Sequence, residues 1–196
     1  MTHDNKNRAL AYDTQARYFL ESAALVSQHI ASKGKNPSAN YKNFETVIIG
    51  TNHSFAAEIL LKGIIFFHNG SHPKKHEIEE LLNHQSCEQL KARIIEAFQP
   101  EVHTSYTKKQ LEHHLRKYIL KLDENNRFDK KEIEKIESIT EHFVFGTFEY
   151  FLKLHSNHFI KMRYACECFP PPLDMNFTSF LNNQLRNELE VNLLEL

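Results

Sequence analysis

The sequence predicts an all-α protein, an up-and-down bundle of six or seven helices, and three observations carry that prediction. Apolar residues recur at three- and four-residue spacing through most of the chain, and no stretch alternates with the period of two that a half-buried strand needs. Five Gly and six Pro in 196 residues leave room for long helices and little for a turn-rich β fold. The prolines fall between the periodic stretches or at their ends rather than inside them.

The first helix is expected from about Arg8 to Ser32. Its seam is Tyr12, Ala16, Phe19, Ala23, Val26 and Ile30, one narrow apolar line down a helix. Residues 1–7 are polar and are expected to fray. Gly34 and Pro37 mark the connection that follows. Phe44–Asn69 is then the most apolar stretch of the chain and reads as its central helix, stopped at Asn69-Gly70. Phe44, Ile48, Phe55, Ile59 and Phe66 share one stripe along it. Glu58 and Lys62 fall on or beside that stripe, one turn apart, so the pair is expected to be largely buried.

Pro73 sits near the next helix start, and Ile78, Leu81 and Leu82 give a short amphipathic helix. Ser86-x-x-Gln89 and Thr107-x-x-Gln110 have the capping-box pattern. They introduce helices lined by Leu90, Ile94 and Phe98, and by Leu111, Leu115, Tyr118, Ile119 and Leu122. Asp129-x-x-Glu132 caps a helix that could run continuously to about Cys168, with Gly146 as a bend, until Pro170-Pro171-Pro172 ends it. This helix and 44–69 are expected to form the central pair. Residues 176–196 read as a C-terminal helix whose leucines, Leu181, Leu185 and Leu189, drift around its surface. The chain is read as one domain, 1–196, with a Phe-rich core built from fifteen Phe and no Trp.

Composition narrows the function classes. A net charge of −1 gives no global field toward nucleic acid or anionic membrane, so any electrostatic footprint is local. Three Cys, two of them in Cys166-x-Cys168, make no disulfide framework and no paired zinc site. The polar N-terminus and the absence of an 18-residue apolar run give the expectation of a cytoplasmic protein without a membrane span. Thirteen His raise a metal question. His113-His114 face different ways, and His155 with His158 forms no HExxH or Glu-x-x-His set, so no metal and no cofactor is expected.

Two local features carry chemistry. Lys109, His113, Arg116 and Lys117 lie opposite the Leu111/Leu115/Tyr118 face, a basic stripe of the kind phosphate contacts need. Arg163 and Glu167 form an i,i+4 pair next to Tyr164, and the Arg163 guanidinium offers a fork to a phosphate or carboxylate.

The run His53-Ser54-Phe55-Ala56-Ala57-Glu58-Ile59-Leu60-Leu61-Lys62-Gly63, with His76-Glu77-Ile78-x-x-Leu81-Leu82 after it, resembles the HEPN domains (higher eukaryote and prokaryote nucleotide-binding). Those bundles often carry a small-residue–Glu–x–x–Leu–Lys run followed by a His-Asp-Leu start to the next helix; here Glu77 and Ile78 replace the Asp and Leu. Lys161-Met162-Arg163-Tyr164-Ala165-Cys166-Glu167 is similar to a late Arg-Tyr-x-x-Glu run in some members. The resemblance implies an HEPN-like bundle, a homodimer, and binding of RNA or a nucleotide. It also implies a setting in phage defence or toxin–antitoxin systems, often beside a nucleotidyltransferase-type partner. Glu58, Lys62, Arg163, Tyr164 and Glu167 are then the ligand-binding candidates. The ribonuclease members use Arg, four to six residues, then His, and no Arg of this chain has a His at that reach. The expectation is therefore binding without catalytic residues. A protein-interaction scaffold and a metal-independent ribonuclease with an atypical site are the alternatives.

Overall fold

A computed structural model describes residues 3–33, 44–124, 130–162 and 174–194. Among them the chain forms α1 (His3–Ser32), α2 (Phe44–Asn69), α3 (Ile78–Leu82), a 3₁₀ turn (Gln85–Cys87), α4 (Glu88–Ala97), α5 (Pro100–His103), α6 (Lys108–Glu124), α7 (Lys130–His142), α8 (Phe148–Met162) and α9 (Met175–Leu194), with no strand. Nine α-helices among the described residues correct the expected six or seven. Two of the nine are short: α3 has five residues and α5 four.

A second correction concerns the helix expected to span 130–168. It is broken between His142 and Phe148, where Gly146 adopts φ +94°, a backbone conformation that L side chains rarely enter. The bend anticipated at Gly146 is a full interruption because Phe143 and Phe145 must turn inward onto the core there. Helix α2 takes a different long partner. It pairs antiparallel with α1: the Tyr12 ring lies against Phe66, Phe19 stacks on Phe55, and Ala23 and Ile30 cluster with Ile49. Gly63 makes that pairing close. A Cβ built on it would stand 2.8 Å from Tyr12 Cβ and 3.1 Å from a Leu189 methyl of α9. Helix α1 begins at His3, so residues 3–7 are helical.

Helix α2 is enclosed on nearly all sides, by α1, α9, α3, α8 and the 3₁₀ turn. Its deepest residues are Ala56, Ala57, Leu60, Leu61, Ile64 and Ile65. Ile48, Phe55 and Ile59 of the anticipated stripe are only partly buried. A helix apolar around its whole circumference belongs inside a bundle, and a single stripe understates it. One apolar cluster draws on every helix except α5 and holds a Phe knot in which Phe98 meets Phe148, Phe151, Phe177 and Phe180. Leu181, Leu185 and Leu189 of α9, which the spacing alone set around the surface, are fully buried. Their drift of about 40° per four residues still fits within one broad apolar face.

The helix ends are fixed by local chemistry. Thr107 and Gln110 form the reciprocal capping box: Gln110 N–H donates to Thr107 Oγ1 at 3.3 Å, and Thr107 N–H donates to Gln110 Oε1 at 2.9 Å. The Ser86 box does not form. Ser86 lies inside the 3₁₀ turn, its N–H donates to the His84 ring, and its hydroxyl accepts from Asn69. Helix α3 starts at Ile78 rather than near Pro73. Asp174 caps α9: its Oδ1 accepts from the N–H groups of Asn176 and Phe177, both at 3.1 Å. Ser105 donates to the same carboxylate through its N–H and its hydroxyl, tying the α5–α6 loop to α9. The Asp129 cap, Cys166-x-Cys168 and the proline stop at 170–172 lie outside the described residues. No helix among the described residues is long and apolar enough to cross a membrane.

Candidate functional site

Glu58 and Lys62 sit on α2 where the helix is surrounded by other elements, and both are buried, at 6% and 9% exposure. Lys62 Nζ donates to Glu58 Oε1 at 2.8 Å. The same oxygen accepts from His76 Nδ1 at 2.7 Å. The burial expected from the α2 pattern is therefore present. The third member comes from outside the helix, on the segment between α2 and α3. The His76 ring is 54% exposed, so the centre runs from a desolvated carboxylate to solvent through one imidazole. Because a carboxylate only accepts, Nδ1 carries the proton in this bond, and Nε2 lies on the opposite edge of the ring.

The segment carrying His76 is held at two points. His72 Nε2 lies 2.8 Å from the Tyr12 hydroxyl, while its Nδ1 donates to the Pro73 carbonyl at 3.0 Å, so Tyr12 is the donor in the first bond. Residues 71–77 thus run back along α2 from the level of Phe66 toward that of Glu58, pinned by a histidine at each end. Burial raises the Tyr12 phenol above its usual range, against the opposing pull of Arg8.

No family model, no curated protein and no solved structure matches this chain.

The basic stripe stands where the spacing put it. Lys109, His113, Arg116 and Lys117 are all exposed on α6, while Leu111, Leu115 and Tyr118 are buried on its other face. Glu112 is the one acidic residue between Lys109 and Lys117, and it lies 4.0 Å from Lys108 Nζ. The local field is positive enough to register on a neighbour. His114 titrates below its usual range, first because of burial and then because of His113 and Lys117. Arg163, Tyr164 and Glu167, the late Arg-Tyr-x-x-Glu run, lie outside the described residues.

Of the histidines that invited a metal reading, His155 serves the backbone, and the His158 side chain lies outside what is described. His155 is fully buried; Nδ1 donates to the Phe151 carbonyl at 2.7 Å, and Nε2 accepts the Asp174 N–H at 2.8 Å. Both nitrogens serve the backbone, and burial holds the ring below its usual titration range, opposed by the Asp174 charge and the Phe151 bond. Among the described residues no cluster of three His, Cys, Asp or Glu side chains could hold a metal ion. His53, read only as part of the α2 motif, is pushed down to about 4 by burial. Asn182 on α9 donates to the His53 and Thr178 carbonyls, fixing that end of the α2–α9 contact.

Sequence reasoning missed His76 as the partner of Glu58. The signal was present, since His76 opens the motif after α2, but eighteen residues of separation and a proline-containing loop hide which atom it reaches.

Proposed function

We propose that this chain is an HEPN-like binding module for RNA or a nucleotide, that it contacts phosphates through the exposed face of α6, and that it does not cleave its ligand. The observation that carries the reading is the α6 face itself. Three permanent cations and His113 project over about 12 Å of helix, with Glu112 the single acidic residue among them. A near-neutral protein that concentrates charge on one helix has the local footprint that backbone phosphate contacts use.

The Glu58–Lys62–His76 centre supports the same reading in a structural role. It occupies the residues that carry the HEPN resemblance, and it joins α2 to the segment that leads into α3. Homodimerisation and work beside a nucleotidyltransferase-type partner in a prokaryotic defence or toxin–antitoxin system follow from the resemblance and belong to the same proposal. The ligand-binding assignment of Arg163, Tyr164 and Glu167 rests on the resemblance as well.

The test is fluorescence anisotropy with labelled single-stranded RNA, titrated between about 50 and about 300 mM salt, where each phosphate neutralised contributes about 0.7 to the log–log slope. The expected result is salt-sensitive binding, with a shallower slope and lower affinity in Lys109→Ala/Arg116→Ala. Binding that is absent at low salt, or unchanged in that variant, refutes the α6 reading and favours a scaffold that recognises protein alone. Incubation of the same RNA with chelator present should leave it intact. Cleavage that copurifies with the protein and disappears in Arg163→Ala would place the chain among the nucleases.

A further inference from the structure

Helices α6 and α7 expose charge of opposite sign. On α6, Lys109, His113 and Arg116 are exposed, with Lys117 beside them. On α7, Glu134, Glu137 and Glu141 are exposed and fall within about 60° of one another around the helix, while Ile139 is buried on its other side. Within the chain the two sets stay apart: none of these seven side chains forms an ion pair with a described residue.

Their spacings match when the helices run antiparallel. Lys109 to His113 rises about 6 Å, and His113 to Arg116 about 4.5 Å; Glu141 to Glu137 to Glu134 gives the same two rises read backwards. In that register Lys109 meets Glu141, His113 meets Glu137, and Arg116 meets Glu134. Lys130, the one cation on the acidic face of α7, falls a turn beyond, opposite Leu120. Leu120 lies in the middle of the α6 cations and is 61% exposed. A phosphate has no use for it, whereas a protein partner takes its apolar surface out of water. Both helices lie beside α8. Helix α7 packs on it, and burial, followed by the Glu112 carboxylate of α6, pushes the Tyr150 phenol of α8 up to about 12. A single two-fold axis therefore suffices to lay α6 of each copy on α7 of the other and to form the contact twice.

We propose that a second copy of this chain docks here, α6 of each protomer antiparallel to α7 of its partner, cations against carboxylates. This names the faces of the homodimer given above, and it rests on the charge register rather than on the resemblance. Exposed pairs are individually weak and screened by salt, so the dimer is weak and salt-sensitive. One consequence rests on the α6 reading: RNA and the second copy compete for the same cations, and the homodimer is the RNA-free form.

The experiment is sedimentation velocity on the full chain at about 50 and about 500 mM salt. A dimer should form at low salt and dissociate at high salt. Lys109→Glu/Arg116→Glu and Glu134→Lys/Glu141→Lys should each raise its dissociation constant about tenfold or more, because like charges then face each other. All four positions are exposed, so circular dichroism should be unchanged. Mixing the two variants should restore the dimer, since every α6 again faces an α7 of opposite sign. The chain with all four changes keeps the native net charge and should dimerise alone. No dimer at low salt and submillimolar protein overturns the proposal. So does a dimer that either double variant leaves intact, or a loss that mixing does not rescue. Glu134→Lys/Glu141→Lys leaves α6 untouched and should bind labelled RNA no more weakly than the native chain, so failure of the dimer and failure of the RNA reading are separable.

Discussion

Lys62→Met should destabilise the protein by about 2–4 kcal/mol, and replacing both partners should cost far less. Both side chains of the pair are nearly out of solvent, at 11% for Lys62 and 8% for Glu58, so neither charge keeps much hydration. Removing the ammonium leaves a buried carboxylate whose Oε1 retains the His76 bond. Breaking a buried pair by removing one partner typically costs about 3–5 kcal/mol, and the surviving His76 contact places the expectation toward the lower end. Glu58→Leu/Lys62→Met removes both charges and replaces them with apolar groups of comparable size, which is often close to neutral. His76→Ala should cost the least of the single changes, because its ring is more than half exposed and Lys62 still neutralises the carboxylate. The assay is urea denaturation followed by circular dichroism, comparing midpoints at constant slope. The decisive comparison is between Lys62→Met and the double variant. If the double variant is as unstable as Lys62→Met, the lost stability does not come from a stranded charge, and the electrostatic account of this centre is wrong.

Gly63→Ala should lower stability by about 1–2 kcal/mol, although alanine is about 1 kcal/mol the better helix former at an open site, because the added methyl meets the Tyr12 Cβ at 2.8 Å and forces overpacking. A raised melting temperature would show that α1 moves aside without cost. Stability should also fall as the pH drops below about 6.5. The unfolded state then takes up protons that folded His53, held at about 4, refuses, so its contribution is complete above 6.5 and is lost by up to about 3 kcal/mol toward pH 4. His155, also lowered by burial, acts in the same direction. Urea midpoints at a series of pH values should show the slope, and His53→Leu should flatten part of it; a midpoint independent of pH across that window contradicts the burial argument.

Most of the helices were legible from the residues alone because their information is local. The four-and-three spacing in α1, the apolar run of α2 and the Thr107–Gln110 box each depend on groups within a turn or two. The burial of Glu58 and Lys62 was legible for the same reason, since an ion pair inside an apolar helix goes where the helix goes. Tertiary structure decided what local spacing leaves undetermined. The helical period allows 130–168 to continue, and only the demand that Phe143 and Phe145 reach the core breaks it at Gly146. The period of α2 does not name its partner; the missing side chain at Gly63 does, once Tyr12 and Leu189 are placed against it. His76 joins Glu58, and Ser105 joins Asp174, across 18 and 69 residues, because folding sets the distance between atoms that the chain leaves far apart.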